Sequence, residues 1–192
     1  MKLVVTEFVT LDGVMEDPGG AESFEHGGWS FKFDRGPEGD KFKLDELMAS
    51  DAQLLGRKTY EGFAAAWPSI TDEQGFADKM NEMPKYVVST TLENPEWNNS
   101  TVIKGDVVAE ISRLREQPGG DILVAGSCQL VQTLTNNNLV DEYRLMVFPI
   151  VLGSGKRLFG EGTNPTTLEL VDSKPAGAAV ILTLRPATSD VA

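Results

Sequence analysis

Cysteine and histidine are all but missing: Cys128 and His26 each stand alone in 192 residues. One cysteine excludes an internal disulfide framework, and one residue of each kind excludes a Cys/His zinc site. Proton transfer is left to carboxylates, hydroxyls, lysine, tyrosine and that one imidazole. Basic charge is scarce as well. Seventeen Lys and Arg against 29 Asp and Glu give a formal net charge of −12, the opposite of the basic footprint that nucleic-acid phosphates require. A polyanionic cofactor must therefore find a local basic pocket working against the global field. No run of about 18 apolar residues is present that could span a bilayer. The N-terminus, Met1-Lys2-Leu3-Val4-Val5-Thr6-Glu7, carries an acid where a signal peptide needs its apolar stretch, so a cytoplasmic protein is expected.

What remains is an ordinary globular composition, 41% hydrophobic and 24% charged. The length suits one domain, residues 1–192, able to bury roughly 70% of its unfolded surface. Leu3 to Val9 reads as a buried first strand, turned by Asp12-Gly13. Residues 17–40 read as a long loop, rich in glycine yet holding Phe24, Trp29, Phe31 and Phe33, as a functional or packed lid does. Helices are expected over about 40–50, 61–67 and 72–81, the second stopped by Pro68. Strands are expected at 52–55, 85–89, 101–104 and 121–125. Asp106 is a good N-cap for a helix carrying Val107, Val108, Ile111 and Leu114 on one stripe, and a further helix follows Gly126-Ser127. This alternation describes an α/β fold with a mainly parallel sheet covered by helices. The last third, about 142–152, 166–171 and 178–185, has strands without intervening helices, which implies an antiparallel ending.

Three stretches and three single residues could carry chemistry. Gly56-Arg57-Lys58-Thr59 joins a strand to a helix start, where free N–H groups attract anions and two cations stand together; it suits a nucleotide phosphate or a cap with solvated charges. Val124-Ala125-Gly126-Ser127-Cys128 has the strand-to-helix geometry that cradles a pyrophosphate, although the GxGxxG fingerprint is absent. Cys128 is either an activated thiol in a first helical turn or a small core residue. Gly153-Ser154-Gly155-Lys156 fails as a phosphate loop, because Ile150 and Arg157 stand where glycine and Ser/Thr are needed, and reads as a turn. Asp12 and Asp40 are turn and helix-cap residues or polar groups at a site, and His26 is solvated or catalytic.

The ordered set Thr10-Leu11-Asp12-Gly13, Leu55-Gly56-Arg57-Lys58-Thr59-Tyr60, Val87-Val88-Ser89, Val124-Ala125-Gly126-Ser127 and Phe148-Pro149-Ile150-Val151-Leu152-Gly153 resembles the dihydrofolate reductase superfamily. It is most similar to the branch of the reductase domain of bifunctional riboflavin-biosynthesis enzymes, found also as small stand-alone bacterial proteins. The resemblance implies a three-layer fold with a mixed sheet of about eight strands and a homodimer. It implies NADPH as cofactor, with Gly56, Arg57, Lys58 and Thr59 at the adenosine phosphates and Ser89 and Thr90 beside the adenosine. Gly126, Ser127, Cys128 and Gln129 would lie at the pyrophosphate, and Asp12-Gly13 in the loop over the nicotinamide. Asp12 and Asp40 are the implied catalytic residues. The implied activity is NADPH-dependent reduction of a small heterocycle, with 5-amino-6-(5-phosphoribosylamino)uracil ahead of dihydrofolate or another pterin. A non-catalytic NADPH-binding dimer is the alternative. Two departures bear on this: Ala125 and Ser127 replace glycines around Gly126, and Val124 stands where an acid is common.

Overall fold

In the computed structural model, which describes residues 1–187, eight strands form one sheet in the order β4-β3-β2-β5-β1-β6-β8-β7. Their ranges are β1 Leu3–Thr10, β2 Ser50–Gly56, β3 Lys85–Val88, β4 Ser100–Ile103, β5 Asp121–Val124, β6 Glu142–Phe148, β7 Leu168–Ala176 and β8 Ala179–Pro186. The helices are α1 Gly36–Met48, α2 Arg57–Ala66, α3 Phe76–Glu82, α4 Val107–Arg115 and α5 Cys128–Asn136. The pairs among β1 to β6 are parallel. β6–β8 and β7–β8 are antiparallel, as the loss of helices from the last third requires. Among the described residues no helix is long and apolar enough to cross a membrane.

Period-two alternation sends β1 to both layers of the core. Leu3 and Val5 pack with Leu54, Ile111, Ile122, Val124, Val131 and Leu134 under α4 and α5. Val4, one residue between them, packs with Leu47, Leu55, Tyr60, Met80 and Val87 under α1, α2 and α3. The aromatic stretch before α1 is a packed wall. Trp29 is fully buried, its Nε1–H donates to the Glu16 carbonyl at 2.8 Å, and it meets Phe148 edge-on at 5.5 Å between centroids. Phe31 alone points outward, 80% exposed.

Three helices start earlier or later than expected. α1 begins at Gly36, with Pro37 in its first turn, where a missing N–H costs nothing; Asp40 is therefore inside the helix, not its cap. α2 begins at Arg57, directly off β2, and α3 begins only at Phe76, because the Asp72 carboxylate ties down the amides of Gln74, Phe76 and Ala77. Asp106 caps α4 as expected, accepting from the Ala109 N–H at 3.0 Å.

Where the parallel strands begin, charge is answered by partners. Lys85 is wholly buried, yet its ammonium donates to the carbonyls of Asn81 and Met83, each at 2.8 Å, and of Asn98 at 3.1 Å. It also lies 4.2 Å from the Trp97 ring centroid, a favourable cation–π distance. Glu142 is held by Arg144 and Arg185, and Arg144 reaches on to Asp121.

Candidate functional site

The carboxyl ends of β2 and β5 meet through glycine. The Gly56 N–H donates to the Gly126 carbonyl at 3.2 Å. A Cβ on Gly56 would overlap the Ser127 hydroxyl, and one on Gly126 would stand 2.7 Å from Thr59 Oγ1. Gly126 also has φ +86, a conformation other residues resist, and the Gly126–Ser127 peptide is cis. The fold thus brings Gly56, Thr59, Gly126 and Ser127 into one contact. Both helices that start here, α2 and α5, lack a side-chain N-cap bond, whereas α4 has one. Two sets of open amide donors and two positive dipole ends converge, an arrangement that attracts phosphate.

Arg57 and Lys58 stand exposed in the first turn of α2. Arg57 is paired with Glu61 at 2.9 Å; Lys58 has no ion pair among the described residues. Ser89, buried, accepts from the amides of Thr91 and Leu92 at 3.2 and 2.9 Å and so shapes the turn after β3, with Thr90 exposed beside it. Cys128 opens α5, where its thiol donates to the Arg157 carbonyl at 3.2 Å. Burial first, then the nearby Glu7, push that thiol up, the opposite of what an activated thiol requires. Gln129 follows it, exposed. The 153–156 stretch is irregular and its neighbour Arg157 bridges to Val14, consistent with a turn.

The two expected catalytic acids are not brought together. Asp12 accepts from the Thr10 hydroxyl at 2.6 Å and from the amides of Leu152 and Gly153 at 3.2 and 2.9 Å. The Thr10 hydroxyl, with those amides, holds the carboxyl down to about 2; at neutral pH it is an ionised brace between the Asp12-Gly13 loop and the segment after β6. Asp40 lies on the outer side of α1, its side chain 62% exposed and paired with Arg35 at 2.6 Å.

Sequence reasoning missed the groups that α1 and β1 do bring together. Lys43 bonds Glu46, and both reach Thr6 Oγ1, each at 2.8 Å; Lys43 also lies over the Phe8 ring. On the other face of β1, Glu7 is buried beside Gly126, and its Oε1 has no hydrogen-bond partner. Burial pushes its carboxyl up to about 8, against the opposing pull of Lys43 and the Gly126 amide. The β1–β5 ladder stops at Val5↔Val124, while β1–β6 runs on to Thr10↔Phe148. Past Val5 the β5 side of β1 is therefore left to the β5–α5 connection, whose Gly126 lies beside Glu7. A surface cleft of about 790 Å³ lies elsewhere, among Tyr60, Glu61, Asn81 and Trp97.

An eight-stranded mixed sheet with two helix starts facing a split between central strands defines a dihydrofolate-reductase-like α/β domain. Solved structures agree on the fold: a putative riboflavin biosynthesis protein from Shewanella sp. PV-4 (TM-score 0.76, 20% identity, 98% of this chain and 100% of that one), and dihydrofolate reductase from Enterococcus faecalis complexed with NADP(H) (TM-score 0.59, 16% identity, 97% of each). The fold also matches RibD from Acinetobacter baumannii (TM-score 0.62, 14% identity), of which it spans 58%. In sequence the chain is 30% identical over 183 residues to the uncharacterized protein YyaP of Bacillus subtilis, covering 94% of this chain and 92% of that protein. It is 32% identical over 181 residues to YwjB of the same organism, covering 94% and 95%. Residues 1–182 match the RibD C-terminal domain, and the chain belongs to that family.

Proposed function

We propose that this protein is an NADPH-dependent reductase of a small heterocycle, most similar to a 5-amino-6-(5-phosphoribosylamino)uracil reductase, which narrows the oxidoreductase character of its family. One observation carries the reading: two helix N-termini without side-chain caps open onto the Gly56–Gly126 contact, with Arg57 and Lys58 beside them. Those donors, cations and glycines fit a dinucleotide phosphate. The bound cofactor supplies hydride, and the protein supplies position.

Arg57, Lys58 and Thr59 would hold the adenosine phosphates, Ser89 and Thr90 flank the adenosine, and Gly126, Ser127, Cys128 and Gln129 hold the pyrophosphate. Asp12 keeps the Gly13 loop in place without exchanging its proton. Asp40 acts on substrate only by leaving Arg35, and unchanged turnover in Asp40→Asn would remove it from the reaction. The dihydrofolate reductase from Enterococcus faecalis, in complex with NADP(H), supports the choice of cofactor.

The test is a fluorescence titration with NADPH and NADH. Micromolar binding that prefers NADPH, weakened about tenfold or more in Arg57→Ala for loss of a charge-assisted contact, supports the reading. Binding of neither cofactor overturns it. The reading includes a homodimer, which a monomer mass by light scattering would refute.

A further inference from the structure

Glu7 is a buried acid with no work assigned to it. The residue is 9% exposed and its Oε1 is sealed without a partner, a state that buried acceptors resist. It sits past the last β1–β5 pair, where β1 keeps its ladder partner on the β6 side and meets the β5–α5 connection on the other. The Gly126–Ser127 loop lies beside it and the Asp12-Gly13 loop follows the end of β1. If the phosphates rest on the helix starts, the ring at the other end of the cofactor enters here.

We propose that Glu7 reads the redox state of the cofactor: it stays a neutral acid against the reduced, uncharged ring and becomes a carboxylate against the oxidised, cationic one. The proton leaves to solvent as the oxidised cofactor binds, and no proton moves when the reduced cofactor binds. This rests on the NADPH reading above.

The surroundings give the electrostatics. From α1, across the strand, come Lys43 and Glu46; from the loop comes the Gly126 N–H. From α5 comes the Cys128 thiol, itself near Lys156 and Glu16. Burial outweighs Lys43, so the acid keeps its proton at neutral pH. A pyridinium charge bound beside it and screened from water would reverse that balance. Neutral acid plus cation gives ion pair plus proton, with charge conserved. Raising the pH therefore favours the oxidised cofactor and leaves the reduced one alone.

Isothermal calorimetry at pH 7 in buffers of different ionisation heat counts the protons. We expect about one proton released per NADP+ bound and close to none per NADPH, with neither releasing any in Glu7→Gln. Between pH 6 and 8 the NADP+ Kd should fall by up to about tenfold per unit and become flat in the variant. In wild-type protein carrying 13C-labelled glutamate, one carboxyl should titrate well above the others and lose its proton on adding NADP+. Equal proton release for both cofactors, or release that persists in Glu7→Gln, overturns this proposal while leaving the cofactor site intact. Absence of binding by either cofactor overturns both. The wild-type comparison stands even if the variant fails to fold.

Discussion

The two edges of the parallel strands treat buried charge in opposite ways. Where β3 begins, Lys85 is enclosed completely, but three carbonyls and the Trp97 ring receive its ammonium. Where β1 ends, Glu7 is enclosed nearly as well and one oxygen has nothing to bond. The only carboxylate oxygens left without partners among the buried, described side chains are those of Glu7 and Glu46, which lie on either side of the C-terminal half of β1. A fold able to satisfy an ammonium with three backbone oxygens is not short of means. The difference is one of charge: one edge answers its buried ammonium with backbone oxygens, and the other leaves a buried carboxyl oxygen open.

Four measurements would break or sharpen that contrast. The largest effect belongs to Glu7. Its folded pKa, about 8, lies above the usual 4.5, so the folded state keeps a proton that the unfolded chain gives up between those values. Stability is then full below pH 4.5 and lost as pH rises toward 8, at most about 1.4 kcal/mol per unit and a few kcal/mol in all. Denaturant melts from pH 5 to 8 should show this slope in wild type and not in Glu7→Gln. Asp12, held down to about 2, contributes stability above pH 3.8 that disappears only as pH falls toward 2, outside this window.

Next in size is Lys85→Met. Leaving the Asn81, Met83 and Asn98 carbonyls unbonded should cost about 3 kcal/mol, a fall in Tm of roughly 6–12 °C; cofactor affinity should not change. If affinity falls as far as stability, the edges are not separate. Gly126→Ala reverses the pattern: a strained φ and a Cβ 2.7 Å from Thr59 Oγ1 should cost about 1–3 kcal/mol, while cofactor binding is abolished in the same titration. Lys58→Met should change stability least, within about 0.5 kcal/mol, and still weaken NADPH more than NADH.

The order of elements was legible because parallel strands and covering helices leave local periods, and Asp106 and the junction glycines Gly56 and Gly126 announced themselves by type. The start of α1 was not legible, because Gly36-Pro37 signals a turn as readily as a first helical turn. The long-range properties were hidden for a different reason. Glu7 looks like any polar residue in a strand; what isolates it is that β5 stops at Val124, and the length of a ladder between distant segments leaves no mark on either one. Lys85 was equally silent, since its three carbonyls come from α3, the segment after it and the turn before β4. Asp40 was implied by the resemblance alone, and in a helix that begins at Gly36 its side chain stands in solvent beside Arg35.

The alternation of β1 makes an eight-residue strand a partition wall. Thr6 and Phe8 face α1 with Lys43 and Glu46; Glu7 faces the Gly126 loop. Substitution at even positions rewrites one compartment and at odd positions the other, with the backbone between them unchanged. A lineage, or an engineer, can therefore exchange what is recognised on the α1 side while inheriting the other side intact.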